Sequence, residues 1–159
     1  MDLTYHSIGI IHSSFTSLDA MPIQPVSATS SQGIVEIFSS FVEGLKDLDG
    51  FSHVILLYHF HMVHGCALTV TPFLDTETHG IFATRAPSRP NPIGLSIVKL
   101  VNIKANELYV EQLDVLDNTP VLDIKPYVPE FDHRPDARIG WFERARGEIP
   151  GKLSDSRFA

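Results

Sequence analysis

Cysteine is nearly absent: Cys66 stands alone in a chain of 159 residues. No internal disulfide can form, and a reducing cytoplasm is the expected setting. Long apolar runs are missing as well. No segment approaches the roughly 20 apolar residues that a bilayer-spanning helix needs. The opening MDLTYHSIGI carries an acid where a secretory leader carries a base, so a membrane role is not expected. The P-loop, the G-x-G-x-x-G fingerprint and the G-x-S-x-G elbow are all absent. His64 lying near Cys66 along the chain does not make that thiol a nucleophile. Hydrolase and nucleotide-kinase readings therefore lack support.

Basic residues are scarce in one half. Residues 1–84 hold one base, Lys46, against eight acids, whereas residues 85–159 hold eleven of each sign. The net charge of −7 therefore belongs to the first half. A general nucleic-acid binder shows a basic excess. An RNA partner would have to be met by a local patch of the second half or through a partner that supplies charge, and the bland alternative is an acidic face that keeps the protein soluble.

Proline, by contrast, is concentrated where chemistry is expected. His79–Ser96 reads HGIFATRAPSRPNPIGLS. An apolar segment, Ile81-Phe82-Ala83, leads into a loop with Arg85, Arg89, Asn91, Pro87, Pro90 and Pro92, and an apolar strand resumes at Ile93. Each proline fixes its own φ and extends the residue before it. Such a loop is stiff before a ligand arrives, so little ordering entropy remains to be lost on binding.

The rest of the chain reads as short strands. Tyr5–His12 and Ile34–Phe38 are extended, separated by a long Ser-, Thr-, Pro- and Ala-rich loop. Ser40 and Glu43 have capping-box spacing ahead of Leu45 and Leu48, which predicts a two-turn helix stopped at Asp49-Gly50. Ser52–Met62 is apolar enough to be a strand buried on both faces. Ala67–Phe73, Gly80–Thr84 and Val121–Tyr127 are further strands, and Leu95–Ile103 with Glu107–Leu113 forms a hairpin across Lys104-Ala105-Asn106. Together these predict an all-β fold, a small closed or nearly closed β-barrel with one short helix and a C-terminal tail. The expected division is a barrel domain over 1–132 and a tail over 133–159 that docks on the barrel or on a dimer partner. Trp141 and Phe142 are its anchors.

Three side-chain groups are candidates for chemistry. His59, His61 and His64 form an H-x-H-x-x-H set whose spacing suits zinc or iron, but no clear further ligand stands near, and hydrogen-bonded structural histidines are the commoner case, so no metal is expected. Asp114 and Asp117 stand three residues apart at a turn, which suits a ligand bearing hydroxyls or positive charge, or an Asx-type turn. Gln24, within Pro22-Ile23-Gln24-Pro25, offers the donor and acceptor that an adenine edge requires.

Three blocks, LDGFSHVILLYHFH, GIFATRAPSRPNPIGLS and LDVLDNTPVLDIKPYVPEFD, in this order, resemble the TsaA/TrmO (YaeB-like) family over residues 5 to about 132. The resemblance implies an S-adenosylmethionine-binding, homodimeric β-barrel. The implied activity is N6-methylation of N6-threonylcarbamoyladenosine beside the tRNA anticodon. Carried over by motif, the implied cofactor contacts are Pro22, Ile23, Gln24, His61, Met62, Arg85, Leu95, Asp114, Val115, Leu116 and Asp117. His61 thereby moves from metal ligand to cofactor neighbour.

Two departures stand out. Where most members read Asp-Gly-Thr-Pro, this chain reads Asp117-Asn118-Thr119-Pro120. Asn tolerates left-handed backbone, so the turn is expected to survive. Longer bacterial members carry an additional C-terminal domain for which this length leaves no room.

Methylation of a poorly nucleophilic nitrogen needs a proton acceptor, for which Asp123, Tyr127 and His61 are the candidates. Lys125 and Arg89 are candidates for holding phosphate or the threonyl carboxylate of the substrate. The alternatives are a methyltransferase of a small molecule or another RNA, and a non-catalytic cofactor-binding regulatory dimer.

Overall fold

Residues 1–17 and 31–145 are described by a computed structural model of the chain. Among the described residues eight strands follow one another: β1 (Gly9–Ser13), β2 (Gln32–Ile37), β3 (His53–His59), β4 (Thr69–Val70), β5 (His79–Gly80), β6 (Ile93–Lys104), β7 (Glu107–Glu111) and β8 (Thr119–Pro126). Six of them close a barrel in the spatial order β1-β2-β7-β6-β3-β8, with every neighbouring pair antiparallel. β4 and β5 form a separate two-stranded ribbon, Thr69 opposite Gly80 and Val70 opposite His79. The expected closed all-β barrel is therefore what forms.

Alternation along the strands builds the core. Val54, Leu56 and Tyr58 of β3 point inward, as do Val98 and Leu100 of β6, Leu108 and Val110 of β7, and Val35 and Ile37 of β2. The ring is completed by Ile11 and Val121, with Leu113 and Val115 following β7. A smaller cluster of Val70, Ile81 and Ala86 lies under the ribbon.

Four sequence expectations change. Ser52–Met62 is not buried on both faces: β3 alternates, and its outward Ile55 and Leu57 are only half-buried. A sheet closed on itself has one interior, so half of an apolar strand must face out. β3 also stops at His59: Phe60 N–H still donates to Pro92 O at 2.8 Å, in register with β6, but Pro92 has no N–H to return a bond. The predicted α-helix after Ser40 is a 3₁₀ segment, Ser39–Leu45, with no side-chain cap. Its i→i+3 bonds, such as Phe41 N to Phe38 O, keep Val42 and Leu45 against the barrel end over a short span. The predicted strands Ala67–Phe73 and Gly80–Thr84 shrink to the two-residue β4 and β5. Thr84 Oγ1 donates to Ile81 O at 3.0 Å and turns the chain at Ile81–Ala83. The hairpin turn at Ala105-Asn106 forms as expected, with Ala105 at φ 53°.

After β8 comes a single helical turn, α1 (Pro129–Asp132), and then a 3₁₀ segment, Gly140–Glu143. Trp141 docks on this chain's own ribbon. Its Nε1–H donates to Ala83 O at 2.8 Å, and its ring stacks on His79 with centroids 4.5 Å apart. Asp75 ties the arrangement together, bonded by His79 Nε2 at 3.0 Å and by Arg144 Nη2 at 3.1 Å. The His79 bond and backbone N–H donors from Glu77 and Thr76 bring the Asp75 carboxyl down to about 2. A carboxyl held below its unfolded value stabilises the fold above that unfolded value and loses the effect as pH falls. Asp75→Asn should therefore lower the melting temperature at pH 7. The gap from the parent should close between pH 4 and pH 2, as read by circular dichroism. A gap that stays constant over that range contradicts the assignment.

Candidate functional site

Antiparallel closure brings the ends of β1, β3 and β7 and the starts of β2, β6 and β8 to one rim. Each of these termini carries polar side chains. At the centre is Asp114, just past β7. Its Oδ1 accepts a 2.6 Å hydrogen bond from Ser96 Oγ, a fully buried hydroxyl on the inner face of β6. Ser96 in turn meets Tyr58 Oη at 3.0 Å. Burial raises the Asp114 carboxyl to about 6, while the Ser96 donor and the Arg85 guanidinium oppose the rise. Burial also raises the Tyr58 phenol, and the negative Asp114 adds to that. Arg85, exposed on the proline loop, is thus close enough to act electrostatically on both groups.

His61 stands on the same rim, with Nδ1 3.2 Å from Thr119 Oγ1 at the start of β8. Desolvation and neighbouring His59 lower its pKa, with Asp117 pulling weakly the other way. The ring is therefore neutral at neutral pH and can accept a proton.

Asp117 has a different occupation. Its Oδ1 accepts from Ser13 N–H at 3.0 Å and its Oδ2 from Asn118 Nδ2 at 2.8 Å. Asp117 N–H donates to Phe15 O at 2.8 Å, and Ser13 Oγ donates to Val115 O at 2.7 Å. This carboxylate fastens the β7–β8 connection to the end of β1. Asn118 sits at φ 61°, the left-handed conformation that a glycine would hold there without strain.

The proline loop is as braced as its composition implies. Arg89 Nη1 donates to the carbonyls of Thr84 (2.9 Å), Ile81 (3.3 Å) and Ala86 (3.4 Å), so it organises the loop from within. Ala67 N–H reaches Ser88 O at 3.0 Å and ties the loop to the segment before β4.

The residues expected to bind are thus brought together only in part. Asp114, Asp117, His61 and Arg85 share one rim. Met62 is exposed beside His61; Leu95 is exposed on the outward face of β6. Val115 is a core side chain and Leu116 is half-buried. Pro22, Ile23 and Gln24 lie outside the described residues. Asp123 and Lys125 pair with each other as an ion pair on β8. Tyr127 lies at the opposite rim, its N–H on His53 O at 3.1 Å. Among the described residues, no three His, Cys, Asp or Glu side chains gather as a metal-binding set. Reading the sequence missed Tyr58, Ser96, Ser13 and Thr119. One signal was available for Ser96: it interrupts the apolar parity of β6 between Gly94 and Val98.

Comparison with known proteins settles the lineage. Residues 10–133 match the family model of the tRNA-methyltransferase O N-terminal domain. The chain belongs to that family. A probable S-adenosyl-L-methionine-binding protein of Pyrococcus abyssi is 52% identical over 156 residues, covering 98% of this chain and 85% of that protein. The tRNA (adenine(37)-N6)-methyltransferase of Escherichia coli K12 is 35% identical over 151 residues, covering 89% of this chain and 64% of the relative. A crystal structure of TrmO from Pseudomonas aeruginosa superposes with a TM-score of 0.75 at 42% identity, covering 89% of this chain and 63% of that one. The chain therefore spans a little under two thirds of the solved TrmO chain, and the clasp at Trp141 lies beyond the segment matched to the family domain.

Asp117→Ala should leave Ser13 N–H without its acceptor and cost about 1–3 kcal/mol of stability. Urea denaturation is the measurement. A loss below the resolution of the experiment would show that the junction does not depend on this carboxylate.

Proposed function

We propose that this protein is an S-adenosylmethionine-dependent methyltransferase acting on N6 of an adenine in tRNA, and that the substrate is N6-threonylcarbamoyladenosine beside the anticodon. The observation that carries the reading is the meeting of Asp114, Arg85 and His61 at one rim of a barrel of the TrmO family. The printed names of the Escherichia coli and mouse relatives, both tRNA (adenine(37)-N6)-methyltransferases, support the adenine N6 target. The names of the archaeal relatives support the cofactor.

The residues fit the donor. It has a cationic centre, an amino-acid end, a ribose diol and an adenine. The rim offers a carboxylate backed by buried hydroxyls, an exposed guanidinium, a neutral imidazole and an exposed Met62 as apolar wall. When bound, S-adenosylmethionine supplies an activated methyl group for in-line transfer. The protein's part is to align the acceptor nitrogen and to receive its proton. Asp123 is paired with Lys125 and Tyr127 lies at the opposite rim, whereas His61 stands on the Asp114 rim with its ring kept neutral by desolvation and by His59. It takes the proton in this reading, while Asp114 and Arg85 hold the donor.

A cytoplasmic homodimer is part of the same reading. On the outer face of β6 and β3, Leu95 stands opposite Leu57 and Ile97 opposite Ile55, and Ile93 and Leu95 are exposed apolar side chains. A row of this kind is what a second subunit would cover. The net charge of −7 favours a second reading, methyl transfer to a small molecule.

Incubation of the purified protein with S-adenosylmethionine and tRNA carrying the threonylcarbamoyl modification should yield the N6-methylated nucleoside by mass spectrometry. Cofactor binding without a tRNA product would defeat the tRNA assignment and leave the small-molecule reading standing. By calorimetry, Arg85→Ala and Asp114→Asn should each weaken S-adenosylmethionine binding tenfold or more, on the scale of a charged hydrogen bond lost. Unchanged affinity rules out the donor site described. Sedimentation should show a dimer; a monomer at all concentrations removes that part of the reading.

A further inference from the structure

Tyr58 and Ser96 lie where apolar side chains would serve the core at lower cost. Tyr58 is 5% exposed and Ser96 is fully buried. Both occupy inward positions on neighbouring strands, on the same inner face as Leu56 and Val98. Burying two hydroxyls is unfavourable unless each is hydrogen-bonded, and a Phe–Ala pair would occupy similar space without that demand.

The direction of the hydrogen bonds follows from the number of protons. A carboxylate only accepts, so Ser96 donates its one hydroxyl proton to Asp114 Oδ1 at 2.6 Å. The bond between Tyr58 and Ser96, 3.0 Å long, must then run from the phenol to the serine oxygen. The chain Tyr58, Ser96, Asp114 is thus polarised toward the mouth of the barrel and ends on a charge.

The local backbone is shaped around it. Gly94 is paired with Tyr58 across β6 and β3, and a Cβ on Gly94 would collide with the phenol ring. Only a residue without a side chain admits the ring there. On another side, Phe60 meets Tyr58 edge-on, with centroids 5.4 Å apart and planes at 83°. The phenol has one place to be.

We propose that Tyr58 and Ser96 are positioning residues that hold Asp114 ionised and in a single orientation, so that its carboxylate is ready to meet the sulfonium centre of the methyl donor. The inference rests on the donor reading above and names the part of the molecule that prepares the site. The groups that bear on Asp114 are Ser96 from β6, Tyr58 from β3 and Arg85 from the proline loop. Burial works against the charge and has already raised the carboxyl to about 6. Ser96 is the contact that most opposes the rise. Without it the carboxyl is protonated at higher pH, and a protonated acid neither attracts a cation nor keeps a fixed acceptor geometry.

The test compares parent, Ser96→Ala and Tyr58→Phe as full chains, in two measurements. Carbon-13 NMR follows titration of the Asp114 carboxyl without ligand. Calorimetry follows S-adenosylmethionine binding from pH 5.5 to 8.5. In Ser96→Ala the carboxyl should titrate roughly one pH unit higher, the equivalent of one charge-assisted hydrogen bond. Affinity should fall about twofold at pH 7 and several-fold at pH 5.5, and recover toward the parent value at pH 8.5. Tyr58→Phe keeps the ring and should shift both midpoints the same way by less. S-adenosylhomocysteine, which lacks the sulfonium charge, should show a weaker pH dependence. An Asp114 titration that does not move in either variant overturns the inference, as does an affinity loss equal at every pH. If the parent binds no donor at any pH, the donor reading falls, while the NMR titration still decides the role of the two hydroxyls.

Discussion

The barrel is closed by a short seam. Three residue pairs, Gly9 with Val121, Ile10 with Pro120 and Ile11 with Thr119, join the first strand to the last. Everything else in the sheet is nearer in sequence or longer in register: β3 and β6 share seven pairs and β2 and β7 share five. Joining Ile11 to Thr119 closes a loop of more than a hundred residues, with a large entropic cost for few ladder bonds. The side-chain bonds beyond the ladder therefore matter. Asp117 extends the seam past its last backbone pair by accepting Ser13 N–H, while Ser13 Oγ holds Val115 O. His12, on β1, lies between Glu36 (3.0 Å) and Asp117 (3.9 Å) and adds a third strand to the junction.

The candidate site is a consequence of that closure. Once β1 is fixed to β8, the β7–β8 connection has one path, and Asp114 is set over the barrel mouth facing Ser96. The two carboxylates of the connection then divide their roles by environment. Asp117 has both oxygens occupied by its own chain and behaves as a fastener. Asp114 leans on buried hydroxyls and faces Arg85, so its charge is sensitive to what fills the mouth. Three hydroxyls in the barrel wall, Tyr58, Ser96 and Thr119, sit at this end, and the interior away from it is aliphatic. Polarity in the core is thus confined to the layer that addresses the rim.

How far the sequence revealed this varies with the range of the interaction. The closed all-β barrel, the β6–β7 hairpin and the stiffness of the proline loop follow from alternation and from proline sterics, which act within a few residues. The family resemblance rests on three long blocks and names Asp114, His61 and Arg85 among the implied cofactor contacts; that they stand at one rim is seen only in the fold. Where reading failed, the deciding contact was distant. Ser52–Met62 looks buried on both faces because composition does not show that closure leaves an outside. Ser40 and Glu43 have capping-box spacing, yet the connection is too short and too tightly packed by Val42 and Leu45 for an α-helix. Asp117 reads as a ligand or as a turn former, and its donor Ser13, 104 positions away, is visible only in the fold. Trp141 reads as an anchor of the tail, but its partner Ala83 and the hub Asp75 are fixed only by the three-dimensional path.

The charge pattern also acquires a physical meaning. Arg89 is directed at loop carbonyls, Lys99 at Glu111 (2.8 Å), Lys125 at Asp123 (2.6 Å) and Arg144 at Asp75 (3.1 Å). Much of the basic half of the chain is thus engaged in its own architecture, and the surplus remains negative. A polyanion approaching this surface gains little from general electrostatics, the main source of non-specific nucleic-acid affinity. Under the tRNA reading, recognition must therefore come from shape and from unstacked bases presented by a single-stranded loop. A rigid rim suits that task, because a preformed mouth discriminates by fit and loses little entropy when it is filled. The clasp of Trp141 on Ala83 and the three carbonyls held by Arg89 brace the loop on which Arg85 stands from two sides. The Arg85 guanidinium, which acts on Asp114, is thus carried on a braced loop, which is where a site short of charge gains most from placing it accurately.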